Sequence, residues 1–299
     1  MLWAHPSLVG LPCAALLIIA PGPTDKAGWS QPIAAIMGAT SLALLVVSGG
    51  SGSRLAAATS AYIVLATAGF VSLVLLRPDT ILRQALRSIV TAGVATAVLI
   101  QALWGSEAWG ALGWDATRQA SMTMRTIVEV APDAYPIYEP MVRFISLTWP
   151  GMLALQTLAG LALAWQLHRR ILSSALGESA PLMRFKDFYI GDGWVWGIVA
   201  WLGVLILPVS SFLHVAGTNL GLVTSALYVL RGAAIVATFA EAFGVSALTL
   251  VVVGAAAAAL AVPLVFVLPG LCTLGLTDTW YQYRRRLAEA RRRPRSNTT

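Results

Sequence analysis

The feature that most constrains this chain is the recurrence of apolar runs long enough for a helix to cross a membrane. A hydrocarbon core about 30 Å thick requires about 20 consecutive, mostly apolar residues in a helix. Candidate runs lie at residues 7–21, 32–49, 55–76, 87–104, 142–167, 194–213, 218–241 and 246–276. They are rich in Leu, Val and Ala without strict alternation, which favours helices over transmembrane strands. The sequence therefore predicts an all-α fold, a polytopic bundle of transmembrane helices.

Composition excludes a soluble fold. Only 11% of the 299 residues are charged and 58% are hydrophobic, whereas soluble domains carry about 25% charged residues. The apolar excess must face a solvent other than water, and the lipid bilayer is the expected partner. We predict a single integral membrane domain over residues 1–299, located as a multi-pass protein in the bacterial inner membrane.

One long connection, residues 105–141, is less apolar than the runs around it. Asp115 is placed to cap the N-terminus of a modestly amphipathic helix that continues to about Val130. Three prolines between positions 132 and 140 then end this helix. We expect the segment to be an extramembrane or interfacial insert.

The positive charge is concentrated at the C-terminal end. Seven arginines and one glutamate between Arg284 and Arg295 account for most of the net charge of +7. A basic segment directly after an apolar run indicates the cytoplasmic side, so residues 284–299 are predicted to be a cytoplasmic tail that contacts anionic headgroups. The segment from His168 to Lys186 is also basic and is predicted on the same side. No aromatic-interleaved basic surface accompanies the tail, so nucleic acid is not an expected partner.

These orientations conflict with a simple count of spans. Three single crossings between Lys186 and Arg284 would place the two basic segments on opposite sides of the membrane. The run at 246–276 is long for one crossing and contains Pro263 and Pro269, so it predicts a broken helix or a tight hairpin. The bundle is then expected to have about eight or nine spans with a broken last element.

Motifs for catalysis, metal binding and nucleotide hydrolysis are missing from the sequence. The three histidines are far apart and form no pair at helical spacing with a nearby carboxylate, and the two cysteines form no Cys-x-x-Cys motif. The only lysines, Lys26 and Lys186, belong to no phosphate-binding loop. We therefore expect no enzymatic activity, no metal ion and no cofactor.

The chemistry that remains consists of polar side chains in or beside the last apolar runs. The candidate substrate-binding residues are Asn219, Tyr228, Arg231, Glu241 and Asp278. Ionisable groups at membrane depth cost free energy and tend to face a bundle interior or a watery cavity. Two roles stay open for them: pairing that holds helices together, and binding of a small polar solute.

Arg231 is the most informative of these residues because it lies near the middle of a predicted span. Glu241 is ten positions further on and lies too far along the same helix to contact it, at 1.5 Å per residue. The partner of Arg231 must therefore come from another span. It is predicted to be Asp278, a carbonyl group freed near one of the two prolines, or an anionic group of a solute.

Several strings in the second half of the chain resemble a known family. They are Arg184 to Phe188, Asp192 to Gly197, Leu207-Pro208, Gly217 to Leu220, Leu227 to Gly232 and Leu274 to Trp280, followed by the arginines at 284–286. Over about residues 140–286 the chain resembles the YybS-like family of predicted bacterial polytopic membrane proteins, a domain of unknown function. The hydropathy of that family is similar to that of the substrate-capturing subunits of energy-coupling-factor vitamin transporters, which implies by analogy a solute-binding role.

Two functions are compatible with these observations. The first is a solute-binding or transport-type subunit that lacks its own energy source. The second is a membrane scaffold or regulatory protein that recruits other membrane or cytoplasmic subunits. A copurifying small molecule or ATP-driven module would favour the first, and a soluble partner protein the second.

Overall fold

A computed structural model describes residues 54–76, 80–176, 185–246 and 262–292, with single helical positions at 10, 13, 14, 17, 32, 36, 39, 40, 43, 249, 252–254 and 256. The chain divides into two compact units, Met1–Leu182 and Met183–Thr299. The described ranges contain helices, 3₁₀ turns and no strand. The predicted all-α class is therefore confirmed.

The first unit contains four long helices. They are α1 (Arg54–Leu76), α2 (Ile81–Trp104), α3 (Glu107–Val130) and α4 (Tyr138–Leu176), with a 3₁₀ turn at Pro132–Ile137 between the last two. Helices α1 and α2 pack against each other, and α4 contacts both. Their shared core is apolar and includes Tyr62, Phe70, Ile89 and Leu161.

Helix α3 begins nine residues earlier than predicted, with Ser106 at its N-cap position, so Asp115 lies inside the helix and does not cap it. The predicted end at Val130 is confirmed. The earlier start follows from a stripe of small and apolar residues that is buried at every fourth position, Ala108, Leu112, Ala116, Ala120 and Met124. This stripe packs on the ends of α1 and α2 and on the start of α4. The tertiary contacts therefore stabilise more than two helical turns that the capping pattern did not indicate.

The second unit begins with two 3₁₀ turns, Phe185–Asp187 and Asp192–Trp194. Four helices follow them: α5 (Val195–Ile206), α6 (Ser211–Ala242), α7 (Val262–Tyr281) and α8 (Tyr283–Arg292). Helix α6 is central, because α5 and α7 both pack along it.

The boundary between α5 and α6 lies earlier than the sequence predicted. The predicted break between residues 213 and 218 is wrong, since α6 is continuous there and the chain bends at residues 207–210. Pro208 forces the residue before it into extended backbone, and Leu207 has ψ 143°. Ser210 then caps α6 by accepting a hydrogen bond from the Leu213 amide at 3.5 Å. Gly217 does not interrupt α6. The absence of a side chain at this position leaves room for Val204 of α5.

Helices α6 and α7 cross in close backbone contact. A Cβ atom at Gly232 would fall on the carbonyl of Leu271, and one at Gly275 would fall on the carbonyl oxygen of Tyr228. The two contacts are reciprocal at a spacing of four residues, which is the small-residue packing seen between close membrane helices. The contacts of Tyr228 with Gly275 and of Arg231 with Asp278 advance by three residues along both helices, which shows that the two helices run parallel.

One part of the predicted break in the run at 246–276 falls on helix α7. Pro263 and Pro269 both lie within α7, which is helical across them, so no break lies between the two prolines. The rest of the predicted break falls on residues outside the described ranges.

The described helices are suited to a membrane. Four are long and apolar enough to cross one by length and composition, Arg54–Val74, Ile81–Trp104, Tyr135–Ile171 and Ser211–Ala242. On α2, Val90, Val94 and Val98 form an outward stripe, each 60% exposed, which is the expected form of a lipid-facing surface. The predicted runs at 7–21 and 32–49 fall mostly outside the described residues. The total of eight or nine spans stays a prediction.

Candidate functional site

The second unit contains a buried arginine whose hydrogen bonds are made by protein groups. The Arg231 side chain is only 2% exposed. Its Nε donates to Asp278 Oδ2 at 3.0 Å, and its Nη2 lies 3.0 Å from the same oxygen. Its Nη1 donates to the Ile190 carbonyl oxygen at 3.3 Å and to Asp192 Oδ1 at 3.1 Å. Of the three partners that the sequence left open for Arg231, the structure shows Asp278.

The Asp278 side chain links the end of α7 to the start of α8. Besides Arg231, its Oδ2 lies 3.6 Å from Arg284 Nη2, and its Oδ1 accepts the backbone N–H of Tyr283 at 2.9 Å. The residue between the two helices, Gln282, has φ +47°, a left-handed backbone that turns the chain away from α7. The Asp278 carboxylate therefore neutralises a buried cation and also stabilises the turn that starts the basic helix.

A second carboxylate completes the cluster from the segment before α5. Asp192 is half exposed, so one side of it faces Arg231 and the other is open to ligands. The Tyr189 ring lies beneath the Arg231 guanidinium, 4.9 Å from ring centroid to Cζ. Partial burial and the neighbouring Asp192 carboxylate raise the pKa of the Tyr189 phenol, so this group stays neutral at physiological pH.

These groups line an open crevice of about 220 Å³. Its lining consists of two carboxylates, three arginines and three neutral polar side chains: Tyr189, Asp192, Arg231, Asp278, Thr279, Gln282, Arg284 and Arg285. Carboxylates accept hydrogen bonds, guanidinium groups donate them, and both signs of charge lie within a few ångströms. The crevice is chemically suited to a small solute that carries polar or charged groups.

A second crevice, of about 480 Å³, lies at the same end of the unit. Lys186, Asp187, Thr238, Glu241 and Arg284 line it. Lys186 Nζ pairs with the Glu241 carboxylate at 2.6 Å, with both side chains partly exposed. Such an exposed pair contributes only about 0–1 kcal/mol. Glu241 therefore pairs with Lys186 at the edge of the unit and not with Arg231.

The structure thus gathers some of the five predicted site residues and separates the others. Arg231 and Asp278 are in direct contact, and Tyr228 is fully buried one turn before Arg231 with its hydroxyl unpartnered among the described residues. Glu241 lies in the second crevice. Asn219 lies three turns before Arg231 and donates to the Val215 carbonyl of its own helix at 2.8 Å. Their assignment as substrate-binding residues stays a prediction.

Residues that the sequence did not single out complete the site. Asp192, Tyr189 and Arg284 come from segments that precede α5 and follow α7. Asp192 did carry a signal, since an acidic residue directly before an apolar run can pair with an intramembrane cation. In the sequence Arg284 belongs to the basic tail and to the arginine cluster of the family resemblance, yet its Nη1 donates to the carbonyl oxygens of Lys186 and Phe188 at 3.0 and 2.9 Å.

The contacts of Arg284 predict that two segments lie on the same side of the membrane. Because Arg284 bonds to the Lys186 and Phe188 carbonyls, the segment before α5 and the start of α8 lie at one end of the unit. Cysteines introduced as Asp187→Cys and Glu289→Cys, in a background with Cys13 and Cys272 replaced by serine, should both react with an impermeant maleimide from the cytoplasmic face. Labelling of the two positions from opposite faces of oriented vesicles would contradict the arrangement.

Comparison with known proteins identifies a family and no characterised relative. A family model described as "Predicted membrane protein (DUF2232)" matches residues 33–279. No curated protein and no solved structure matches the chain. The matched range includes Arg231, Asp192 and Asp278 and ends one residue before Trp280.

Proposed function

Since the chain belongs to the family of predicted membrane proteins described as DUF2232, we propose that it is a solute-binding, transport-type subunit of the bacterial inner membrane. It has no nucleotide-hydrolysing motif, so any energy source would come from another protein. It is not an enzyme in this proposal. Membrane location follows from the family and the apolar helices, whereas solute binding rests on the site.

The observation that supports this proposal is the crevice beside Arg231. Burying an arginine and a carboxylate in a membrane protein has a desolvation cost that a purely structural contact between apolar helices does not require. Here the buried pair is continuous with an open, polar surface formed by Asp192, Tyr189 and Thr279. Intramembrane ionisable groups beside a watery cavity are a recurrent feature of solute pathways.

The size and charge of the crevice limit the solute. A volume of about 220 Å³ is smaller than the roughly 300–1,000 Å³ of pockets for drug-sized ligands. Asp192 can accept from an ammonium or hydroxyl group, and the exposed Arg285 can donate to a carboxylate or phosphate. The solute class is therefore a small, polar molecule that carries hydrogen-bonding groups of both kinds.

Asp192→Asn should lower retention of a copurifying solute by about tenfold. The substitution removes the half-exposed charge and keeps the size of the side chain, and a hydrogen bond to a charged group contributes about 1.5–3 kcal/mol. Native mass spectrometry of gently extracted protein measures the bound fraction. Asp133→Asn, an equal charge change on an exposed residue of the first unit, is the matched control and should leave retention unchanged.

Two results would contradict the proposed function. One is a wild-type protein that carries no small molecule after extraction from several lipid compositions. The other is constant copurification of a soluble protein in place of a solute, which would support the scaffold alternative. Equal retention by wild type and Asp192→Asn would show that the protein binds a solute at a site other than this crevice.

A further inference from the structure

Helix α8 is a short basic helix that follows a pair of exposed aromatic residues. Its ten residues include five arginines and one glutamate. Trp280 and Tyr281, the last two residues of α7, are 63% and 51% exposed. The chain turns at Gln282, so α8 leaves the direction of α7 at this level. Aromatic residues at the end of an apolar helix mark the depth of the membrane–water interface.

The arginines of α8 divide into two groups. Arg284 points into the unit and bonds to backbone carbonyls there. Arg285 and Arg286 point outward: Arg285 pairs with Glu289 at 2.9 Å in an exposed i, i+4 contact, and Arg286 is exposed above the Tyr281 ring at 5.9 Å from the ring centroid. Arg286 has no carboxylate partner within the described residues. Its guanidinium is therefore held at the depth of the aromatic pair with its charge uncompensated.

We propose that α8 lies in the headgroup layer of the membrane and binds anionic phospholipids, with Arg286 as a principal phosphate contact. A guanidinium presents paired N–H donors that fit a phosphate, and cations at a membrane surface are attracted by the negative potential of anionic lipids. The aromatic pair beside it places this cation at headgroup depth. That depth favours a lipid phosphate over an RNA or a soluble protein, either of which would require a basic surface farther from the bilayer.

This binding site is independent of the proposed solute site. Arg286 does not line the crevice beside Arg231, although its neighbour Arg285 does. Substitution of Arg286 therefore tests lipid binding without altering the crevice. Solute retention, measured in the same preparations, keeps failure of this proposal separate from failure of the proposed function.

The test uses the full chain in detergent, titrated with phosphatidylglycerol or with phosphatidylcholine and analysed by native mass spectrometry. Wild type should bind phosphatidylglycerol more tightly than phosphatidylcholine. Each arginine at a membrane surface contributes about 1 kcal/mol, which corresponds to about fivefold in affinity. Arg286→Gln should therefore weaken phosphatidylglycerol binding about fivefold, and Arg286→Glu by roughly 25-fold, with phosphatidylcholine unaffected.

Arg118 provides a matched control. It is exposed on α3 and lies over the Trp114 ring at 5.5 Å, so it has the same chemistry in the other unit. Arg118→Gln and Arg118→Glu should leave the preference for phosphatidylglycerol unchanged. Equal binding of the two lipids by wild type, or equal losses at positions 286 and 118, would overturn the proposal. Displacement of phosphatidylglycerol by a short RNA at low micromolar concentration would overturn it as well.

Discussion

Arg231→Leu should destabilise the second unit by about 3–5 kcal/mol, because it leaves the Asp278 carboxylate buried without its main counter-charge. Arg231 and Asp278 are 2% and 5% exposed, so water from the adjoining crevice solvates the remaining carboxylate only poorly. The same substitution removes the bonds that Arg231 makes to Ile190 and Asp192. Thermal unfolding of the purified protein in a mild detergent measures the loss.

A second variant separates the pair from the rest of the unit. Arg231→Leu/Asp278→Leu removes both charges and should recover a large part of the lost stability, since replacing a buried pair by apolar residues is often neutral. Recovery will be incomplete because the Tyr283 amide loses its acceptor. If the double variant is no more stable than Arg231→Leu, the uncompensated charge is not the cause. Unchanged stability of Arg231→Leu itself would mean that the pair does not form.

Gly275→Leu should separate α6 from α7 and cost about 3 kcal/mol or more, at or above the upper end of the usual range for overpacking. Even a Cβ atom at this position would fall on the Tyr228 carbonyl oxygen, and backbone atoms cannot move aside as a flexible side chain can. The Arg231–Asp278 pair spans the same two helices, so it should also be distorted. Unfolding temperature and solute retention should fall together.

Gly270→Leu is the matched control, one and a half turns earlier on the same helix. Apart from its own helix backbone and its chain neighbours, no atom of the described residues lies within 4 Å of the position that its Cβ would occupy. Glycine is less favourable in a helix than Ala by about 0.8–1.0 kcal/mol and Leu is close to Ala, so this change should be neutral or slightly stabilising. Similar losses for the two variants would show that close approach of α6 and α7 is not needed.

The sequence was sufficient for properties that depend on local composition and spacing. Hydropathy alone predicted an all-α membrane protein, because a helix in lipid needs a run of apolar residues whatever its neighbours are. It predicted α1 almost to its ends at Arg54 and Leu76. It also predicted that Arg231 faces the interior, because an arginine pointing into lipid is too costly. Membership of a family of predicted membrane proteins agrees with these results.

The partners of that arginine were decided only by the tertiary structure. Asp278 and Asp192 are 47 and 39 positions from Arg231 in the chain. They contact it because α5 and α7 pack along α6 with one particular rotation about the helix axis and one particular offset along it. Glu241, on the same helix and equally polar, points to Lys186 instead. The register depends on where glycines such as Gly232 and Gly275 allow backbones to approach. Hydropathy reports the depth of a residue in the membrane, but the contact between two residues depends on how whole helices fit together, which no local pattern encodes.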